Sequence, residues 1–437
     1  MPVYIAAQGL FEGLGTIPFI WTILKTLPWL FLVYVLKLYL GGAANSSERL
    51  MHSKVVMMTG GTSGIGAAIA RGLAERGAQL VLLTQHPLTD PFLADYIMDL
   101  RTQTNNELIT AEHVDLNSLR SIRLFATKWV DNAPPRRLDM IILCANTLTP
   151  RGGRASTTED GLESNWGLNY MANFHLLSIL SPALRAQPPD RDVRIIFGTC
   201  SSYMGGMLPD FSKNDKASTK SKPKASSRQS SGPTALAFTP ASAYATSKLA
   251  LMTFASAFQK HLSSYSRPDK QPMNARVLVV DPGWTRTPGM RRYLTFGSLW
   301  GLAFYLVTWP MWWLLLKSPE EGAQSFLYAA MEARFGRGAG GWFIKECMEV
   351  RLARSEIEDE NVQKSLWEAT EKTIEALEKE GAATRAREKK AKDTQETNTA
   401  KTKDGIEKAS EVSSVKATAE RDIGSQKPGS RRSKKGS

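Results

Sequence analysis

The chain has 437 residues, of which 42% are hydrophobic, 22% charged and 9% aromatic; it can bury a sizeable core and is too long for one small module. Its 55 Lys and Arg exceed its 42 Asp and Glu to give +13, but 15 basic and 8 acidic residues lie between Arg385 and Ser437, so the body is only mildly basic and a DNA-binding enzyme with a basic folded face is excluded. Three cysteines (Cys144, Cys200, Cys347) and five histidines without C-x-x-C or H-x-x-x-H spacing exclude a disulfide scaffold, offer no metal site and suit a reduced, cytosol-facing compartment.

Residues 1–50 are expected to form an apolar membrane anchor. Ile17 to Leu40 is apolar except for Thr22, Lys25, Thr26 and Lys37, about the length that crosses a bilayer, but Pro18, Pro28 and an interior lysine argue against a straight span. No basic stretch precedes it, so an uncleaved anchor or interfacial hairpin is expected rather than a signal peptide.

From Lys54 to Gly66 the chain reads KVVMMTGGTSGIG, then runs through a helix-like stretch to a second apolar run ending at Thr84. Glycines at 60, 64 and 66 between a strand and a helix allow a tight turn and close approach to a pyrophosphate at the helix N-terminus. Glu112-His113-Val114-Asp115-Leu116 ends a third strand; Leu138–Cys144, Val193–Phe197 and Ala275–Val280 are the fourth to sixth. Helical patterns at Leu119–Asn132, Gly161–Arg185 and Tyr244–Leu262 lie between them, and this βαβ alternation predicts a doubly wound parallel sheet with ligands at the carboxyl ends of its strands.

Residues 207–240, rich in Ser, Lys and Pro, are expected to be a disordered surface insertion. Tyr244 and Lys248 in YATSK lie four apart on a helix, so an ammonium can sit beside a phenol; an ordinary Tyr, with a pKa near ~10, is a poor proton carrier at neutral pH unless a cation favours its phenolate. Leu294 to Leu316 is an uncharged 23-residue run with seven aromatics, followed by Lys317; a shallow, monotopic insertion is preferred to a crossing. Residues 355–381 read as a terminal amphipathic helix stopped by Gly381, and 384–437 as a basic disordered tail.

In this order, TGGTSGIG at 59–66, Asp115-Leu116, a serine after the fifth strand, YATSK at 244–248 and PGWTRT at 282–287 resemble the short-chain dehydrogenase/reductase family. The resemblance runs from about Ser53 to Thr287 and more loosely to about Gly381, within a domain expected at 51–383, and is strongest for the membrane-associated retinol-dehydrogenase branch, with a fungal lipid-droplet relative as the nearest likeness. It implies an α/β, Rossmann-type doubly wound parallel sheet with membrane-associated apolar segments. It further implies an NAD(P)-dependent oxidoreductase acting on a retinoid, sterol or long-chain lipid alcohol or carbonyl, at a lipid-droplet or endoplasmic-reticulum surface with its catalytic domain facing the cytosol. Partners are then a lipophilic substrate and a membrane surface, with no nucleic acid; a homodimer is left open.

Carried over by position, Tyr244 is the general acid or base and Lys248 lowers its pKa and holds the nicotinamide ribose. Asn169 supports a proton-relay water. Ser202 polarises the substrate carbonyl, with Ser201 as fallback, while a strict count from Arg194 puts Cys200 in that slot. The cofactor-binding set is Gly60, Thr62, Ser63, Gly64, Ile65, Gly66, Asp115, Asn146, Tyr244, Lys248, Pro282, Gly283, Thr285 and Thr287. Two departures stand out. The family's N-A-G after the fourth strand is here Cys144-Ala145-Asn146, which feeds an alternative reading as a catalytically weak nucleotide-binding scaffold. The second strand ends Leu83-Thr84-Gln85 without an acid, which favours NADP(H) over NAD(H).

Overall fold

The computed structural model describes residues 20–209 and 239–390. The first 19 residues of the expected anchor, 210–238 of the insertion and 391–437 of the tail lie outside them. The strands are β1 (Val55–Thr59), β2 (Gln79–Thr84), β3 (Ile109–His113), β4 (Met140–Leu143), β5 (Val193–Gly198), β6 (Ala275–Asp281), β7 (Trp342–Lys345) and β8 (Met348–Glu349). They form one sheet in the order β3-β2-β1-β4-β5-β6-β7-β8, parallel throughout except for the β7–β8 pair. The helices are α1 (Ile20–Gly41), α2 (Gly64–Ala74), α3 (Pro91–Thr104), α4 (Leu119–Val130), α5 (Ala172–Arg185), α6 (Pro240–Ser263), α7 (Pro288–Leu294), α8 (Leu299–Val307), α9 (Trp309–Leu315) and α10 (Pro319–Met331).

The central strands are apolar along their whole length because both faces of the sheet are covered. Every residue of β1, VVMMT, is buried. On one face Ile69 and Leu73 of α2 and Phe326 and Ala330 of α10 join Val56, Met58 and Leu278 in one buried cluster. On the other face the core is aromatic: Phe254 of α6 lies 4.8 Å from Phe174 of α5 and 5.6 Å from Trp367, centroid to centroid. Trp367 belongs to a last helix, α11 (360–390), which runs through Gly381 instead of stopping there and is still helical at the expected start of the tail. Five elements were not expected: α3, α7 and α10, and the strands β7 and β8 at one end of the sheet.

The strand order reverses between β1 and β4, which opens a crevice at the carboxyl ends of these strands. Beyond β6 the apolar run folds as two short helices, α8 and α9, of 9 and 7 residues. Each is far below the ~20 residues that a helical crossing needs. Lys317, at the end of the run, pairs with Thr285 just before it, where Arg286 N donates to Lys317 O and Lys317 N to Trp284 O. The excursion therefore leaves and returns at one place, which a single crossing cannot do.

α1 is long and apolar enough, by length and composition, to cross a membrane, and none of Leu24–Gly41 is buried. Its Lys37 lies 5.5 Å above the Trp313 ring of α9, donates to Leu316 O and lies 3.5 Å from Glu321. Helix α1 is thereby pinned to the aromatic excursion.

Candidate active site

The glycine turn is built by contact as well as by torsion. Gly60 has φ +69°, and a Cβ there would meet the Ala145 backbone at 2.8 Å; a Cβ on Gly66 would stand 2.0 Å from Gly60 O. No side chain caps the start of α2 at Ser63, so the first-turn N–H groups face the crevice as an anion-binding end. Tyr96 of α3, which sequence spacing did not flag, locks the turn by donating to Gly61 O at 2.8 Å.

The crevice encloses about 1330 Å³, more than the ~300–1,000 Å³ of an ordinary small-ligand pocket. Of the residues expected at the cofactor, Gly60, Thr62, Ser63, Gly64, Ile65, Gly66, Asn146, Tyr244, Lys248, Pro282, Gly283, Thr285 and Thr287 all line it. Asp115 does not. Its neighbours Val114 and Leu116 line the wall, while the Asp115 carboxylate turns back to accept from the backbone and side-chain nitrogens of Asn117. The turn, the helix end and the volume fit a dinucleotide.

At the other end, the first turns of α6 set Tyr244 and Lys248 on one face. Lys248 is buried, donates to Gly198 O at 3.1 Å and sits 5.7 Å from the Tyr244 ring centroid. Asn146 Nδ2 donates to Tyr244 Oη at 3.1 Å, so the altered triplet after β4 places a new amide on the phenol. Asn169, in the π turn Gly167–Met171 that precedes α5, accepts from Thr147 N at 2.8 Å and donates to Thr147 O and Ser247 Oγ, bracing the same segment.

Two expectations need correction here. Ser202 lines the crevice but is exposed, and it is Cys200 Sγ that donates to Tyr244 Oη at 3.4 Å. Ser201 is held elsewhere: it donates to Asp281 Oδ2 at 2.5 Å and accepts from Lys345 Nζ at 3.1 Å. β5 stays paired with β6 as far as Gly198↔Val280, which fixes where the strand stops and brings Cys200, the residue that the count from Arg194 reaches, to the phenol. Second, the Tyr244 phenol is held well above its ordinary pKa, by burial first and then by the charge of Cys200, whereas Lys248 was expected to draw it down. Burial also pulls the Lys248 ammonium below its ordinary value, against Cys200, Cys144 and Asp281, and pushes Cys144 up to about 11.

The mouth is apolar: Trp284, Met290, Tyr293, Leu294, Trp312 and Leu316 line it, and α8 and α9 begin just beyond. Such a crevice can hold a flat, charged cofactor at the glycine end, a proton-carrying phenol at its centre and an oily molecule at its mouth.

A family model described as short chain dehydrogenase matches residues 54–207. The "Uncharacterized oxidoreductase pbr1" of Schizosaccharomyces pombe is 42% identical over 79% of this chain and 87% of its own. Retinol dehydrogenase 13 of Homo sapiens is 30% identical over 76% of this chain and 88% of its own. A solved structure from Mycobacterium Paratuberculosis superposes with a TM-score of 0.51 at 20% identity, covering 76% of this chain and 98% of that one; this likeness is one of fold.

Proposed function

The chain belongs to the short-chain dehydrogenase family and is an NAD(P)-dependent oxidoreductase; on that premise we propose that it interconverts a lipophilic alcohol and its carbonyl compound at a membrane-bounded surface facing the cytosol. The observation that carries this is one crevice running from the glycine turn, past Tyr244, to a mouth walled by Trp284, Tyr293 and Trp312. A relative named for retinol, a lipophilic alcohol, supports the substrate class. The exposed excursion and α1, joined through Lys37, support a shallow seat on an endoplasmic-reticulum or lipid-droplet surface.

The residues that would hold the cofactor are those of the glycine turn, Lys248, and Pro282 to Thr287; the chemistry it supplies there is a hydride. Tyr244 gives a proton to the nascent alkoxide in reduction and takes one in oxidation. Lys248, fixed by Gly198 O, holds a positive charge beneath the phenol and has donors left for a ribose hydroxyl. Asn169 keeps the segment after β4 in place, and with it Asn146. The end of β2 supports NADP(H): Asp90, the acid nearest it in the crevice wall, accepts from Phe92 N at the start of α3 and faces His86 at 3.6 Å.

The test is consumption of reduced cofactor against carbonyl compounds of rising chain length, offered in detergent or vesicles. Turnover should climb with chain length and favour NADPH. Equal or better turnover of small water-soluble carbonyls would overturn the substrate class.

A further inference from the structure

Tyr244 Oη is the atom at which the proton moves, and its surroundings are unusual in what they donate. A phenol oxygen has one proton to give and two lone pairs to receive with. Both are addressed by this chain: Asn146 Nδ2 donates from one side at 3.1 Å and Cys200 Sγ from another at 3.4 Å. With both lone pairs engaged, the phenol's own proton is left to face a ligand oxygen.

The two serines beside Cys200 cannot take its place. Ser201 is clamped between Asp281, itself 1% exposed, and Lys345 of β7. Ser202 is the second residue of the turn Ser201–Gly205 and is exposed. The clamp fixes the residue next to Cys200, and Cys200 itself leaves β5 in extended conformation, with φ −156° and ψ 162°. Its direction is thus set by the sheet and by an ion pair on the far side of β6, where Lys345 Nζ lies 3.8 Å from Asp281 Oδ2.

We propose that Cys200 is a catalytic residue of this site, its thiol donating a hydrogen bond to Tyr244 Oη, the oxygen that gives up the proton, and that Ser201, Asp281 and Lys345 are the positioning residues that aim it. The inference rests on the oxidoreductase reading above. The thiol is neither consumed nor oxidised in turnover: the proton delivered to the substrate oxygen comes from Tyr244, and the S–H bond stays intact. Two consequences separate a thiol from a hydroxyl here. The thiol is the weaker donor, so the site works below what a serine would allow. It is also a nucleophile lining an open crevice, so an electrophile small enough to enter stops the enzyme by capping sulfur.

The experiment uses the full chain in detergent, with turnover of a long-chain carbonyl and separately measured NADPH binding. Cys200→Ala should lower kcat by about 10- to 100-fold, in the range for loss of one weak donor at a developing oxyanion, while NADPH binding is retained and reports an intact fold. Cys200→Ser should bring turnover back to the original rate or above it. N-ethylmaleimide should inactivate the unaltered enzyme, more slowly with NADPH present, and leave Cys200→Ser active. The inference is overturned if Cys200→Ala turns over normally, if Cys200→Ser fails to recover what alanine loses, or if maleimide inactivates Cys200→Ser just as fast, which would point to Cys144 or Cys347. Tyr244→Phe tells the two levels apart: if it stays active the assignment of Tyr244 as the proton carrier fails, whereas an inactive Tyr244→Phe beside a fully active Cys200→Ala removes only the role of the thiol.

Discussion

Two groups of aromatic residues in this molecule are alike in composition and opposite in use. Behind the catalytic helix α6, Phe174, Phe254 and Trp367 interlock with centroids 4.8–5.6 Å apart, and Phe254 is 1% exposed. In the excursion past β6, Trp300 is 87% exposed, with Leu299, Phe304 and Val307 bare beside it. The first group has a partner in the sheet and holds Tyr244 rigid. The second has no protein to pack against among the described residues, and a patch of this size calls for an apolar surface outside the molecule. Aromatic content alone does not separate a core from a docking face; what does is whether the rings meet other protein side chains, as Phe174, Phe254 and Trp367 do and Trp300 does not.

The contrast can be broken by matched substitutions. Phe254→Ala should cost about 3–5 kcal/mol of stability, the usual range for emptying a buried aromatic site; urea unfolding measures it, and a loss below 1 kcal/mol would mean the cluster is not the support of α6. Replacing Leu299, Trp300 and Val307 together by Ser should reduce flotation with phosphatidylcholine vesicles by roughly 100-fold, from lost burial of about 0.8 kcal/mol per methylene. Turnover of a short soluble carbonyl should be unaffected by it. Unchanged flotation would leave the excursion as a protein lid only. Trp300→Ser alone should move stability by no more than about 0.5 kcal/mol, as for an ordinary surface change, and a larger loss by thermal melting would show that it is packed after all.

The smallest effect expected is on pH dependence. The phenol of Tyr244 faces Lys248 on its own helix, Cys200 after β5 and Asp281 on β6, and its pKa is raised by burial and then by Cys200. Oxidation needs the deprotonated phenol, so its rate should rise with pH through the alkaline range. A rate that is flat or falls with pH there would contradict the assignment of Tyr244 as the base.

Much of this was legible in the sequence because it is local. The glycine turn and the Tyr244–Lys248 spacing lie within one turn or one helix, and six strands announce themselves as apolar runs. The strand β7 did not: it is four residues long behind Gly338, Gly340 and Gly341, and its partner β6 is remote in sequence. The helix α10 could have been found from its capping box, Ser318 with Glu321. Spacing offered Cys200 but could not choose it over Ser202, because the register at a strand's exit is set by pairing across the sheet, and the Asp115 carboxylate points where a neighbour, Asn117, holds it. In each miss the deciding partner was a contact that residue spacing does not encode.

The central claim is that Tyr244 passes the proton while the cofactor end of the crevice works independently of it. Oxidation of NADPH by a long-chain carbonyl, followed by absorbance in the unaltered chain and in Tyr244→Phe together with NADPH binding by fluorescence, tests it most directly. Turnover should fall by about 10²- to 10⁴-fold, the worth of a positioned general acid, with binding of NADPH unchanged. Turnover that survives in Tyr244→Phe would contradict the account.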